Sequence, residues 1–309
     1  MSSYIARCGR RVLEHWRRGE RMPRVCVGDA HLHLAVEGRG APLVLLHGFT
    51  GSGSQWAAQI EACRRQHFRT VAVDLLGHGG SDVPRDPARY RMERCVADLA
   101  AVLDVLAIER AHCLGYSMGA RIALAFALSC PQRVRTLVLE GGSPGIEDPI
   151  SRRERVAQDE ALAARIEREG IEAFVDMWMR QPLFASQTRL GATALAAARA
   201  ARCANSTVGL ANTLRGLGTG AQKPLWAELP ALAVPTLLVV GEEDAKFRAI
   251  AAAMAARMPD AAVATISEAG HAAHLENPPA FNACILKFFT SYQADSLTRE
   301  ILESRNNSN

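Results

Sequence analysis

An α/β fold, with a mostly parallel sheet flanked by helices and an inserted helical cap, is predicted by three observations. Short unbroken apolar runs recur along the chain, helix-length segments separate them, and the alternation stops over one long interval. Val25 to Val36 reads as a strand pair. Leu43-Val44-Leu45-Leu46 has the uninterrupted apolar character of a strand buried on both faces, which is typical of parallel sheets. Next come a helix near Gln55 to Arg65, the strand Thr70 to Val73, a helix near Arg91 to Leu106, the strand Ala111 to Leu114, a helix from Met118 to Leu128 and the strand Val134 to Leu139. Strands alternating with helices of this length indicate βαβ units with right-handed crossovers.

From Pro149 to about Leu217 the sequence is rich in Ala and Arg and contains no apolar strand run. The alternation resumes with the strand Thr236 to Val240, a helix near Phe247 to Met258, the strand-like Ala262 to Ile266 and a helix from Pro279 to Tyr292. The helical block therefore interrupts one sheet domain, where it would cover the strand C-termini, the usual ligand-binding edge of such sheets. The expected organisation is a basic N-terminal extension (1–24), the first part of the core (25–148), the cap (149–219), the second part of the core (220–293) and a polar, fraying tail (294–309).

With 49% hydrophobic and 22% charged residues, the 309-residue chain has enough apolar material for a sizeable core. A net charge of +4 is small for this length, and neither basic cluster, the first two dozen residues or Arg152 to Arg215, resembles an aromatic-interleaved nucleic-acid surface, so no nucleic-acid partner is expected. The eight cysteines are scattered and form no CxxC pair, as expected for reduced, mostly buried thiols of a cytoplasmic protein. No run of about 18 apolar residues predicts a membrane span. The basic first two dozen residues have some character of a transit peptide or membrane-surface helix, but Glu14 and Glu20 favour a loosely docked extension. The sequence is silent on oligomeric state.

Leu114-Gly115-Tyr116-Ser117-Met118-Gly119 lies between an apolar strand and a helical run. Small neighbours allow a strained strand-to-helix turn that lifts the Ser117 hydroxyl above the sheet, and the helix N-terminus offers N–H groups to a developing anion. This is the nucleophile elbow of the α/β-hydrolase fold. His47-Gly48-Phe49 follows the strand that would supply the second oxyanion donor, making the backbone N–H groups of Phe49 and Met118 the candidate oxyanion hole. His47 itself is expected to pack the loop. A histidine base and its orienting acid should follow the serine in chain order. Asp244, in Gly241-Glu242-Glu243-Asp244, and His271, in Glu268-Ala269-Gly270-His271, each follow a strand and complete the triad. Glu243 and His274 are their nearest rivals. Asp74 is expected to shape its loop, and most cap arginines to pair with Glu at helical spacing.

Several segments together resemble the 2-succinyl-6-hydroxy-2,4-cyclohexadiene-1-carboxylate synthase family of menaquinone biosynthesis over about residues 30 to 290. They are Gly115 through Arg121, Glu140 through Gly145, Trp178 through Phe184, Leu214 through Gln222, Gly241 through Arg248 and Gly270 through Pro278. The resemblance implies a lyase that eliminates pyruvate from 2-succinyl-5-enolpyruvyl-6-hydroxy-3-cyclohexene-1-carboxylate, with Ser117 acting as a base activated by His271 and Asp244. No cofactor or metal is implied. The small polyanionic substrate would give the cap arginines a purpose, since guanidinium groups bind carboxylates in bidentate fashion. By motif position the resemblance implies substrate contacts from Arg121, Arg155, Arg202, Tyr116 and Trp178, with Arg199 as a substitute for Arg202. The extension before Val25 departs from the family pattern. A hydrolase acting on esters or on C–C bonds of ring-cleavage products would use the same triad, and a non-catalytic binding protein would not need it.

Overall fold

A computed structural model describes residues 24–306, with side chains as far as Gln293. The expected N-terminal extension lies outside the described residues, apart from Arg24. Nine strands form two sheets among the described residues: β1 (Val25–Val27), β2 (Ala30–Leu32), β3 (Leu34–Gly38), β4 (Ala41–Leu46), β5 (Phe68–Val73), β6 (Ala111–Tyr116), β7 (Val134–Glu140), β8 (Thr236–Gly241) and β9 (Ala261–Ile266). The segment read as a strand pair thus holds three strands. β1 and β2 form a separate antiparallel hairpin, while β3 joins the main sheet.

The main sheet has the order β3-β5-β4-β6-β7-β8-β9; β3 is antiparallel to β5 and every other pairing is parallel. All six residues of β6 and of β8 are buried, as their unbroken apolar runs require. β9 is the edge strand and is mostly exposed on its outer positions, which explains its weaker apolar pattern.

Three helices follow the early strands: α1 (Ala57–Arg65), α2 (Met92–Val105) and α3 (Met118–Ser129). The insertion contributes α4 (Pro149–Glu169), α5 (Ile171–Met179), α6 (Gly191–Cys203) and α7 (Thr207–Leu217), with a 3₁₀ segment at Pro182–Leu190. α4 starts where Asp148 accepts a hydrogen bond from the Ser151 N–H at 2.7 Å and Pro149 occupies the first turn, a favourable N-terminus. Gly170, Pro182 and Gly191 divide what the sequence presents as continuous helical material. The closing helices are α8 (Ala245–Ala255), α9 (Ala273–Glu276) and α10 (Pro278–Asn306). α10 runs past the expected end at Tyr292 into the segment read as a fraying tail. No Gly or Pro follows Pro279 to stop it.

Apolar residues on the two faces of the sheet form separate cores, one around α2 and α3 and the other around α1 and α10. A third cluster holds the insertion together through Ala163, Ile166, Phe174, Val175, Leu210 and Leu214, with Phe49 and Trp178 packed against it. Polar staples fasten the insertion to the sheet loops. Asn205 donates to the Thr50 carbonyl at 2.9 Å and accepts from the Gly79 N–H at 3.1 Å, and Asn212 donates to the Pro84 and Arg85 carbonyls.

Candidate active site

The serine of the elbow stands between β6 and α3 with φ 51° and ψ −106°. A left-handed non-glycine residue of this kind costs on the order of 1–3 kcal/mol, so the surrounding structure must hold it. It does so in two ways. The Ser117 N–H donates to the Glu140 carbonyl of the neighbouring strand at 2.8 Å. Gly119 lets α3 press against the end of β4, because a Cβ there would meet the Leu46 carbonyl oxygen and lie 2.7 Å from that of His47.

Because β8 and β9 are parallel to β6, the loops after all three emerge at one edge of the sheet. His271 Nε2 lies 3.1 Å from Ser117 Oγ, and His271 Nδ1 lies 2.7 Å from Asp244 Oδ2. A carboxylate on Nδ1 fixes the proton there and leaves Nε2 free to accept from the serine. The second oxygen of Asp244 accepts from the Phe247 N–H at 3.2 Å and caps α8, so the same side chain orients the histidine and starts a helix.

The rival residues are engaged elsewhere. His274 is buried against Glu140, which accepts from its backbone N–H and its ring, each at 3.0 Å. Glu243 is on the surface, where its carboxylate accepts from Arg189. His47 accepts the Leu75 N–H on Nε2 at 3.0 Å, so its Nδ1 donates to the Gly48 carbonyl at 2.8 Å, and burial holds the ring neutral. Asp74 accepts from the Gly53 and Gly80 N–H groups, tying its loop together.

Met118 is the first residue of α3, a position whose N–H has no partner within the helix. Phe49 follows Gly48, and a Cβ on Gly48 would lie 3.5 Å from the Ser117 Cβ, so the His-Gly-Phe loop passes directly beside the serine. Both residues line a cavity of about 520 Å³ that also exposes Ser117 and His271. Its walls bring together residues of the sheet and its flanking helices (Tyr116, Arg121, Phe247) and of the insertion (Arg155, Trp178, Phe184). Phe49 stands edge-on to Trp178, with ring centroids 5.4 Å apart. Burial pushes the Tyr116 phenol well above its ordinary range, so it stays a neutral group. Trp178 Nε1 is buried with no acceptor among the described residues.

Two of the expected arginines reach the cavity. Arg121 donates to Gln222 Oε1 at 2.8 Å, and Arg155 donates through Nε to Asp159 Oδ1 at 2.8 Å. Burial, then the neighbouring Arg155 guanidinium, lowers Arg121 to about 10. Arg202 is not on the wall. It is buried, donates to the Ala198 carbonyl and places its guanidinium 6.0 Å from the centroid of Phe184, whose ring is the group that lines the cavity. Arg199 does not replace it, being paired on the surface with Asp176. Sequence reasoning missed Lys246, which also lines the cavity; its motif, Gly241 through Arg248, was recognised without a role for the lysine.

An elbow serine, an acid and a histidine in this chain order on a parallel sheet are the arrangement of an α/β-hydrolase-type site, and the chain belongs to that family: a family model described as alpha/beta hydrolase fold matches residues 41–278. Within it, the chain belongs to the 2-succinyl-6-hydroxy-2,4-cyclohexadiene-1-carboxylate synthase family. A Klebsiella pneumoniae protein with that name is 36% identical over 249 residues, covering 81% of this chain and 94% of the relative. A Bacillus subtilis protein carrying the name provisionally is 42% identical over 260 residues, covering 84% and 94%. Among solved structures, MenH from S. aureus superposes with a TM-score of 0.81 at 33% identity, covering 84% of this chain and 99% of that one. The enol-lactonase of Burkholderia xenovorans LB400 gives 0.76 at 26% identity, covering 87% and 100%.

Proposed function

We propose that this protein is a carbon–oxygen lyase that converts 2-succinyl-5-enolpyruvyl-6-hydroxy-3-cyclohexene-1-carboxylate to 2-succinyl-6-hydroxy-2,4-cyclohexadiene-1-carboxylate and pyruvate. The names of its relatives motivate the reaction. The observation that carries it is the presence of Arg121 and Arg155 in the same cavity as Ser117, with no Asp or Glu on the cavity wall among the described residues. A triad alone serves ester hydrolysis equally well. A cation-lined chamber suits a substrate with several carboxylates.

In this reading Ser117 Oγ is the base. His271 Nε2 takes the serine proton while Oγ removes the hydrogen from ring C2, which is acidified by the adjacent succinyl ketone. The released C–H electron pair forms the C2–C3 double bond, the existing C3–C4 double bond moves to C4–C5, and the C5–O bond breaks. Enolpyruvate leaves with that bonding pair and is protonated at its methylene carbon to give pyruvate, so water is not consumed. The Phe49 and Met118 N–H groups stabilise the enolate-like oxygen on the ketone. Arg121 and Arg155 hold substrate carboxylates, Tyr116 and Trp178 form the wall, and Arg202 supports the wall through Phe184. The same reading places the enzyme in the cytoplasm, which the seven free cysteines among the described residues support.

Incubating the protein with the enolpyruvyl substrate and following pyruvate release tests the assignment. Wild type should release pyruvate and Ser117→Ala should not. Rapid hydrolysis of simple esters with no pyruvate above background would replace the lyase by a hydrolase.

A further inference from the structure

We propose that Gln222 and Asp159 are positioning residues that give the two cavity arginines unequal charge toward a bound ligand, making Arg121 the strong carboxylate subsite and Arg155 the weak one. The inference deepens the proposed function and rests on its carboxylate-bearing substrate class.

Each guanidinium is held by a buried acceptor, and the two acceptors differ in charge. Gln222 is buried, and its Oε1 accepts from Arg121 Nη1 at 2.8 Å. The oxygen must face the guanidinium, because arginine only donates. Its Nε2 is buried without a partner among the described residues, so the amide is fixed here at the cost of one unmade hydrogen bond. Asp159 is also buried, and its Oδ1 accepts from Arg155 Nε at 2.8 Å, while its other oxygen has no hydrogen-bond partner.

The consequence is electrostatic. An amide orients Arg121 without cancelling its charge, whereas a carboxylate orients Arg155 and neutralises most of it at short range. A substrate carboxylate approaching Arg155 must compete with the hydrogen-bonded Asp159; one approaching Arg121 meets a guanidinium hydrogen-bonded to an amide, with Asp159 acting on it only at longer range. The arginine with the neutral partner is also the one that follows the elbow serine by one helical turn, so the stronger hold lies nearer the reacting bonds. Burial and Arg155 both press against the charge of Arg121, and the Asp159 carboxylate offsets only part of that pressure, which makes a bound carboxylate a further relief of it.

The test is the charge of the acceptor, changed at constant shape in the full-length protein. Gln222→Glu offers Arg121 a stronger acceptor but cancels its charge. Succinate binding measured by titration calorimetry should weaken by about tenfold or more, and KM should rise in step while kcat stays within about threefold. Asp159→Asn has the opposite sign and should tighten succinate binding several-fold. If Gln222 served only as scaffold, Gln222→Glu would leave both the succinate affinity and KM unchanged, and the inference would fall. Unchanged or weakened succinate binding in a folded Asp159→Asn, checked by its melting curve, would overturn it too. Absence of succinate binding by wild type would do the same. Succinate titration requires no turnover. If the affinities shift as described but wild type releases no pyruvate, the clamp stands and the assigned reaction fails.

Discussion

Ser117 stands 154 residues from His271 in the chain and Asp244 stands 27 residues from it, yet two hydrogen bonds of 3.1 and 2.7 Å join the three. Each residue therefore has a distinct mutational signature. Ser117→Ala removes the oxygen proposed to act as the base without disturbing the turn and should lower kcat by at least about 10³-fold with little change in KM. Asp244→Asn separates the two duties of the acid. Asn still caps α8 well, so the melting temperature should move little. The amide cannot hold the Nδ1 proton as the carboxylate does, so kcat should fall on the order of 10³-fold. A large loss of melting temperature with activity retained would show that the residue matters as a cap alone. Ser117 and its partners were legible because each carries a local signature: Gly-x-Ser-x-Gly after a strand, an acid after the first apolar run beyond the insertion, and Gly-His after the last. Arg202 packs on the Phe184 ring, a placement that motif position does not reveal because it leaves open which way a helical side chain turns. The surface ion pairs Arg165–Glu169 and Arg199–Asp176 follow helical or inter-helix proximity, and exposed pairs contribute only about 0–1 kcal/mol, so they are not a reason for the density of arginine at the cavity.

At the level of elements, the insertion depends on a few polar anchors as well as its apolar cluster. Asn205 ties the turn before α7 to both Thr50 and Gly79, next to the His47-Gly48-Phe49 loop and the Asp74 loop. Asn205→Ala leaves the buried Thr50 carbonyl without this donor and removes the acceptor of the Gly79 N–H, which should cost about 1–3 kcal/mol in chemical denaturation. It should also raise KM, since Arg155 and Trp178 are carried by the insertion. Unaltered KM in a destabilised variant would mean that the anchor stabilises the insertion without setting the cavity. The existence and approximate limits of the insertion were legible from the missing strand pattern. Its division at Gly170, Pro182 and Gly191 followed ordinary breakers, but the docking through Asn205 and Asn212 carried no sequence signal, because a single Asn looks the same in a solvated turn and in a staple. The three short strands at the start were compressed into two for a related reason: β3 pairs with β5, some thirty residues on, and a local pattern does not distinguish a hairpin from a long-range pairing.

Across the whole molecule, burial of histidine sets a limit on acid stability. His78 is lowered to about 3 by burial and by neighbouring His47; burial next to Arg135 and Arg110 also lowers His112 to about 3. Between these values and the ordinary 6.5, the unfolded chain binds protons that the folded chain does not, so stability must fall as pH drops through this window. Each group contributes up to about 1.4 kcal/mol per pH unit. Urea midpoints should therefore decline from pH 7 to pH 4, and His112→Gln should flatten the slope even if it lowers the midpoint at neutral pH. A slope identical to wild type would show that His112 accepts its proton without unfolding.

By itself, the sequence determined the alternating architecture, the interval occupied by the insertion and the identity of the triad candidates, because burial on both faces of a strand and the tight elbow impose residue types over short distances. Only the tertiary structure decided which arginines share a cavity with Ser117, that Lys246 joins them, and that His274 and Glu243 are engaged elsewhere. Those outcomes depend on side-chain direction and on contacts between segments far apart in the chain; the i,i+4 spacing of Arg155 and Asp159 is local, but nothing in the sequence around Arg121 or Arg202 encodes the amide or the aromatic ring that meets it.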